Sequence, residues 1–453
     1  MKHILVIGAG RSATSLLEYL KRYVLQAPVR LTIADAEPGL ARQKAGDQPH
    51  ERIASTGLDI FKQEELWDHI RQADVVISMV PAHFHIHVVK GCLYHKKHML
   101  SASYVSEEIR QLDAQAREAD ILILKECGLD PGIDHMTAME ALDRIRTEGG
   151  TLTAFRSYTG GLVAPESDTN PWGYKFSWNP RNVVLAGQGV ARYLRNGEYK
   201  YVPYHRLFSR VEQIELEGYA PFEGYPNRDS LGYRSLYGID EIPTLIRGTL
   251  RKRGYCQAWN ALVQLGMTDD SFQMQGLGQM RLRDFTNAFL AYDPELGVEE
   301  KFCRLMGIDQ ASELYNRIAW LGLFSKDPLP LQQGSPAQVL QAILEEKWKL
   351  EPQDKDMVVM QHIFDWQQQG VQKRLYSSLV SLGDDQLHTA MAKTVGWPLA
   401  IAARLLVEGK LERRGVCIPV TPDLYQPILK ELRELGIQFS EREEVLNAEA
   451  AKR

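Results

Sequence analysis

Ile4-Leu5-Val6-Ile7-Gly8-Ala9-Gly10-Arg11-Ser12-Ala13 opens with four large aliphatic residues and a G-x-G-x-x-A turn, and the following run carries Leu16, Leu17 and Leu20 on one side. A short continuous apolar run is the pattern of a buried parallel strand, and apolar residues three and four apart mark an amphipathic helix. Between the two, Gly8 permits a tight turn, Gly10 lets a pyrophosphate approach the backbone, and Ala13 allows close helix packing. The helix N-terminus adds amides and the positive end of its dipole. Gly8, Ala9, Gly10, Arg11, Ser12 and Ala13 therefore read as a dinucleotide-binding turn.

The neighbouring sequence repeats the same alternation. Residues 29–34 form a β-rich stretch ending at Asp35, residues 74–80 form another ending at Pro81, and 121–124 are four aliphatics. Val105, Ile109, Leu112, Ala116 and Ala119 mark one face of a helix between the last two. Strand alternating with helix predicts an α/β fold with a Rossmann domain over residues 1–128. From 158 to 182 the chain is dense in Gly, Pro, Trp, Tyr and Ser, unlike a βαβ repeat. Residues 258–325 read as an all-helical insertion, followed by a proline-rich connector over 326–336, a helix through Val339–Leu344 and a β-like run at 357–360. A second α/β domain thus covers 129–257 and 326–387. The charged end, 441–453, is helix-prone and given no function.

The 453 residues amount to about two to four domains. Their 44% apolar and 25% charged residues are those of a packed globular protein, not a disordered one. A net charge of −5 gives no general attraction for nucleic acid or anionic lipid. Five scattered cysteines without a C-x-x-C pair read as free thiols in a reducing compartment, and the N-terminal apolar run is too short for a signal peptide. No stretch reads as the roughly 18 to 20 apolar residues of a membrane span. A cytoplasmic protein with no membrane or nucleic-acid partner is expected.

Several residue groups could carry chemistry. Asp35, ending the second strand, stands where a carboxylate accepts the adenine-ribose hydroxyls and repels a 2′-phosphate, which favours NAD and leaves NADP open. Arg42 and Lys44 argue the other way only if they turn toward the ribose. His83, His85 and His87 alternate as metal ligands on a strand would, but a turn and helix start after Pro81 would make them diverge, and no metal is expected. Residues 126–135, Glu-Cys-Gly-Leu-Asp-Pro-Gly-Ile-Asp-His, sit where a parallel strand ends and ligands bind, although Asp130 or Asp134 could instead cap a helix. Cys127 reads more readily as an inert buried thiol than as a nucleophile. The arginines of 227–230 and 247–251 suit carboxylates held bidentately, and by residue type alone read as surface groups.

The chain resembles the saccharopine dehydrogenase family of the L-glutamate-forming type, nearly end to end. The resemblance rests on the G-x-G-x-x-A start, Ser78-Met79-Val80-Pro81-Ala82-His83, Ser103-Tyr104-Val105-Ser106 and Gly128 to His135. It continues through Asn170 to Trp178, Tyr225 to Ser230, Ile246 to Arg251, Trp320 to Ser325 and Thr394 to Pro398. This resemblance implies oxidation of the secondary amine of saccharopine by a nicotinamide cofactor, then hydrolysis to glutamate and 2-aminoadipate 6-semialdehyde. It places Asp130 and Tyr104 at the reacting centre, with Ser103, Tyr104, Arg228, Thr249, Leu250 and Arg251 on substrate. Gly10, Asp35, Val80, Ala102, Ser103, Leu129, Asp130, Pro131 and Ser177 match or adjoin the cofactor positions. It also implies that residues from about 388 return to the Rossmann domain and that the second, mixed-sheet domain binds substrate and forms a homodimer. Thr159 replaces a cysteine of fungal members, Ala34-Asp35 replaces the Cys-Arg of NADP users, and Lys125 replaces a usual asparagine. A related amine dehydrogenase, of the lysine 6-dehydrogenase or carboxynorspermidine dehydrogenase type, or a non-catalytic NAD-binding protein, are the alternatives.

Overall fold

In the computed structural model, which describes residues 1–46 and 50–446, the chain divides into two compact units. One comprises Met1–Thr151 with Leu379–Ser440, the other Leu152–Ser378 with the segment from Glu441. The first boundary falls at Thr151 rather than 128. Helix Ile133–Thr147 stays with the first unit because it packs on helix Pro422–Glu434, where Tyr425 Oη donates to Asp143 Oδ2 at 2.7 Å.

The first unit is built on a parallel sheet. Its strands are β1 (Lys2–Ile7), β2 (Val29–Asp35), β3 (Ile53–Gly57), β4 (Val75–Ser78), β5 (His98–Leu100) and β6 (Leu122–Leu124). A further strand, Gly415–Cys417, pairs with β6, and the order is Gly415–Cys417, β6, β5, β4, β1, β2, β3. Ile4 to Ile7 are fully buried, as a strand covered on both faces must be. Helices α1 (Thr14–Gln26), α2 (Pro38–Ala45), α3 (Gln63–Gln72) and α4 (His85–His95) make the crossovers. β3 and β5 were not legible as strands: β3 is a polar edge and β5 is three residues long. The single helix expected across 105–119 is two short ones, α5 (Glu107–Arg110) and α6 (Asp113–Glu118). Ile109, Leu112 and Ala116 nevertheless enter one core together, which is why their spacing read as one face. A longer helix, α7 (Ile133–Thr147), follows β6 and the loop of 125–132.

Helix Ala390–Val407 is long and apolar enough to cross a membrane by length and composition, which the sequence reading had not marked; most of it is buried inside this unit. It lies against α1 at Gly396, where a Cβ would stand 2.7 Å from Leu16 N. Its apolarity is that of a core helix covered on several sides.

The second unit holds a mixed sheet. Its strands are β7 (Thr151–Val163), β8 (Val190–Arg195), β9 (Glu198–Pro203), β10 (Glu212–Ile214), β11 (Phe222–Pro226), β12 (Thr244–Arg251), β13 (Asp356–Gln368) and β14 (Val371–Leu382). They run in the order β10, β11, β12, β7, β13, β14, with β8 pairing β12 and β9. The aromatic stretch read as turn-rich from 158 begins as strand, since β7 continues to Val163. Beyond it, Trp172, Tyr174 and Phe176 are buried around Trp348, with ring centroids 5.0 to 5.3 Å away. The short β-like run at 357 opens the long β13. Helices Tyr255–Leu265, Leu282–Asn287, Val298–Met306 and Glu313–Trp320 occupy the stretch read as a helical insertion, and contacts keep it within the second unit. The charged end is a strand, not a helix: Ser440–Val445 pairs with β14, and Lys373 meets Glu443 at 2.9 Å. Residues 447–453 lie outside the described residues.

Gly396→Val should overpack the contact between helix Ala390–Val407 and α1. The expected cost is about 1–3 kcal/mol, read as a lower urea midpoint, and an unchanged midpoint would show that the helices can separate freely.

Candidate active site

The turn after β1 is held from both sides. Gly8 N donates to Ala34 O at 2.8 Å and Met79 N donates to Ile7 O at 2.8 Å, so the ends of β1, β2 and β4 stand in one row. Gly8 has φ +103, and a Cβ there would lie 3.0 Å from the Met79 carbonyl; only glycine takes this position without strain. At Gly10 a Cβ would meet nothing within 4 Å, leaving backbone open to a ligand. Ala13 N donates to Gly10 O as α1 begins. Asp35 Oδ2 accepts from Ala9 N at 2.7 Å and its Oδ1 from Glu37 N at 2.9 Å. A carboxylate accepts about four hydrogen bonds, so capacity remains for two ribose hydroxyls. Arg11 is exposed, and Lys44 Nζ donates to Thr14 Oγ1 at 2.6 Å, engaged on α1. The turn, the open backbone and the carboxylate fit an adenine dinucleotide.

Tyr104 and Asp130 meet beyond β5 and β6, with Ser103 next to Tyr104 in the chain. Tyr104 Oη donates to Asp130 Oδ1 at 3.2 Å, and both residues are partly exposed. The loop of 128–132 closes on itself: Gly128 N donates to Pro131 O at 3.0 Å, and a Cβ at Gly132 would collide with Gly128 N at 2.2 Å. Leu129 and Pro131 are buried in this loop, whereas Val80 and Ala102 lie half-buried just past β4 and β5. Asp134 Oδ1 accepts from Gly132 N at 2.6 Å, so it holds a backbone amide just ahead of α7 without being its N-cap.

Glu126 ties these loops together. Its Oε1 accepts from Val105 N at 2.9 Å, next to Tyr104, and its Oε2 meets His135 Nε2 at 2.8 Å in the first turns of α7. Burial pushes its carboxyl upward, but His135 through hydrogen bond and charge, together with Val105 N–H, holds it below the usual range. Cys127 is fully buried and burial pushes its thiol up to about 12, so it is no nucleophile.

His83, His85 and His87 diverge. His83 is exposed with its ring centroid 3.8 Å from Phe84, His87 is exposed, and His85 is buried at the start of α4. Among the described residues no three His, Cys, Asp or Glu side chains gather as metal ligands. His85 instead bridges serines, with Nδ1 2.8 Å from Ser78 Oγ and Nε2 2.8 Å from Ser103 Oγ and 3.2 Å from Ser101 Oγ. Lys125, fully buried, donates to Ser101 Oγ at 3.2 Å. Sequence reading missed this cluster, and the serine spacing at 101 and 103 was its only signal.

In the second unit, antiparallel pairing of β11 with β12 sets Tyr225 opposite Thr249 and Glu223 opposite Arg251. Arg228, just past β11, is exposed with φ +50, and Asn227 N donates to Arg247 O at 2.8 Å. Arg247 and Arg251 are buried, not surface arginines, because β12 runs through the middle of the sheet. Arg247 lies over the Tyr233 ring at 4.1 Å. Arg251 stands among Tyr174, Tyr225 and Tyr255 at 5.3, 6.0 and 5.2 Å, its Nη1 donating to Leu250 O and its Nε without a partner. A buried guanidinium with an unused donor fits a ligand carboxylate. Ser177 is buried in the same unit.

Residues 4–124 match the family described as the saccharopine dehydrogenase NADP binding domain, and residues 128–437 that of the saccharopine dehydrogenase C-terminal domain. The chain is 35% identical over 451 residues to saccharopine dehydrogenase (NADP(+), L-glutamate-forming) of Saccharomyces cerevisiae, covering 97% of this chain and 99% of that protein. It is 34% identical to the mitochondrial alpha-aminoadipic semialdehyde synthase of Bos taurus, of which it spans 47%. The apo histidine-tagged saccharopine dehydrogenase (L-Glu forming) of Saccharomyces cerevisiae superposes with a TM-score of 0.88 at 32% identity, covering 98% of this chain and 100% of that one.

The depressed Glu126 carboxyl stabilises the fold above the ordinary glutamate range, and that contribution is lost as pH falls through the folded value. Glu126→Gln should cost on the order of 1–3 kcal/mol at neutral pH. The gap to the parent should narrow below about pH 4.3 in urea titrations. A gap independent of pH would remove the charge from the account.

Proposed function

The chain belongs to the saccharopine dehydrogenase family of oxidoreductases, and we propose that it converts saccharopine to L-glutamate and 2-aminoadipate 6-semialdehyde, using NAD in preference to NADP. The observation that carries the reaction is the Tyr104–Asp130 hydrogen bond at the strand ends. A nicotinamide cofactor, when bound, supplies the hydride acceptor. Gly8, Gly10 and the start of α1 would hold its pyrophosphate, and Asp35 would hold its ribose.

Oxidation of a secondary amine needs the nitrogen free of its extra proton, and hydrolysis of the resulting imine needs a proton taken from water. Asp130 is an acceptor of the right kind for both transfers, and Tyr104, donating to Asp130 Oδ1, orients that carboxylate and offers a hydroxyl proton in return. The balance is one saccharopine, one oxidised cofactor and one water giving glutamate, the semialdehyde, the reduced cofactor and one proton. Arg251, a buried cation with an unpartnered Nε, and Arg228 are suited to the substrate's carboxylates. That carboxylate-binding complement favours saccharopine over a plain diamine or lysine.

NAD preference rests on Asp35. Its carboxylate already accepts Ala9 N–H, so it is fixed beside the turn, where a 2′-phosphate would meet a negative charge. Purified protein with saccharopine should reduce NAD, followed at 340 nm, with glutamate appearing in equal amount. No reduction with either cofactor would overturn the reaction.

Asp130→Ala should lower kcat ~100- to 10,000-fold, far more than it weakens NADH binding read by fluorescence. Asp35→Asn removes the charge and keeps one oxygen, enough for Ala9 N–H but not for Glu37 N–H as well. It should raise the ratio of kcat/KM for NADP over NAD about tenfold, equivalent to ~1.4 kcal/mol. A ratio that does not move would take Asp35 out of cofactor selection.

A further inference from the structure

Lys125 directly follows β6, its backbone N–H donating to Cys417 O at 2.9 Å, and its side chain is fully buried. Among the described residues the other buried lysine is Lys175, which is paired with Asp354 at 2.6 Å. Lys125 has no such partner: its Nζ makes its hydrogen bond to the neutral Ser101 hydroxyl. The adjacent Glu126 carboxylate is engaged by Val105 N–H and His135. A buried ammonium without a carboxylate is costly and readily gives up its proton. Burial brings Lys125 down to about 7, against the raising effect of Glu126. His85 is held at about 3 by burial, by Lys125 and by His83, and therefore stays neutral while Lys125 titrates.

Donor and acceptor accounting gives this chain two proton arrangements. Ser101 Oγ receives Ser103 N–H at 3.2 Å and, when Lys125 is charged, Nζ–H as well. Both its lone pairs are then filled, and its own proton points to His85 Nε2. An acceptor Nε2 requires the proton on Nδ1, donated to Ser78 Oγ, and Ser103 must donate its hydroxyl proton to Nε2. Ser103 then offers only lone pairs to a ligand. When Lys125 gives one proton to solvent, its new lone pair becomes available to the Ser101 hydroxyl; in that arrangement the His85 proton moves from Nδ1 to Nε2, the Ser78 hydroxyl donates to Nδ1, Nε2–H donates to Ser103 Oγ, and the Ser103 hydroxyl proton is free for a ligand. His85 changes tautomer and no other group changes charge.

We propose that Lys125 is a positioning residue that acts through Ser101 and His85 to set whether the Ser103 hydroxyl meets its ligand as acceptor or donor. The consequence for catalysis rests on the reading of Ser103 as a ligand-binding residue in the proposed reaction; the hydrogen-bond reversal does not. Glu126 and His85 are the titratable groups that act on Lys125, with His135 behind Glu126 and His83 beyond His85.

The test uses the full chain labelled with ¹⁵N in histidine, with His85 identified by the loss of its signals in His85→Gln. Across about pH 5.5 to 9, His85 should remain neutral and pass from the Nδ1–H to the Nε2–H tautomer with a midpoint near 7. Lys125→Met fills the same space without a titrating group, and Lys125→Gln keeps a donor to Ser101. Both should abolish the transition. Ser101→Ala should abolish it too, although Lys125 is still present. The parent's kcat/KM should change about fivefold between the limbs, the equivalent of roughly one hydrogen bond, and should lose that inflection in either Lys125 variant while folding stays native by circular dichroism. One tautomer throughout in the parent, or a transition that persists in Lys125→Gln, overturns the proposal. Saccharopine turnover absent while the tautomer still titrates would overturn the functional reading and leave the relay standing.

Discussion

The first unit depends on the pairing of β1 with β2 on one side and β4 on the other, which sets Ile7 between Ala34 and Ser78. Parallel strands in register end at one edge, and each ending leaves backbone groups without a ladder partner. Gly8 and Met79 amides cross that edge to Ala34 and Ile7, and the amide next in line, Ala9 N–H, goes to the Asp35 side chain. The carboxylate that braces the turn keeps lone pairs beyond those taken by the Ala9 and Glu37 amides, so the shape of the turn and the polarity of its open edge share one side chain.

Farther along the edge, polar groups are buried rather than solvated. Ser78, His85, Ser101, Ser103 and Lys125 form a connected chain behind the exposed end of Ser103, and Glu126 with His135 forms a second behind Tyr104 and Asp130. Buried polar groups are tolerable when they are bonded, and a connected chain has few arrangements of its protons. That restriction gives the side chains at this edge fixed directions. It also explains why a neutral histidine sits at the start of α4 where a metal ligand was conceivable.

Much of this was legible in the sequence where a residue's role is local. The β1 turn, Asp35 at a strand end, and the placement of Asp130 in a strand-end loop follow from spacing along a few residues. Roles that depend on distant partners were not legible. Arg251 is buried because β12 lies inside the mixed sheet, and the charged tail at 440–445 is a strand because β14 offers an open edge. Lys125 is unpaired only because the neighbouring carboxylate faces His135.

The amino-acid sequence by itself determined the alternation of strand and helix and the dinucleotide turn, since apolar periodicity and glycine stereochemistry act over a few residues. Tertiary structure alone decided which buried polar groups meet and whether each is paired. Strands from distant parts of the chain bring those groups together, and desolvation sets their charge only after they are enclosed.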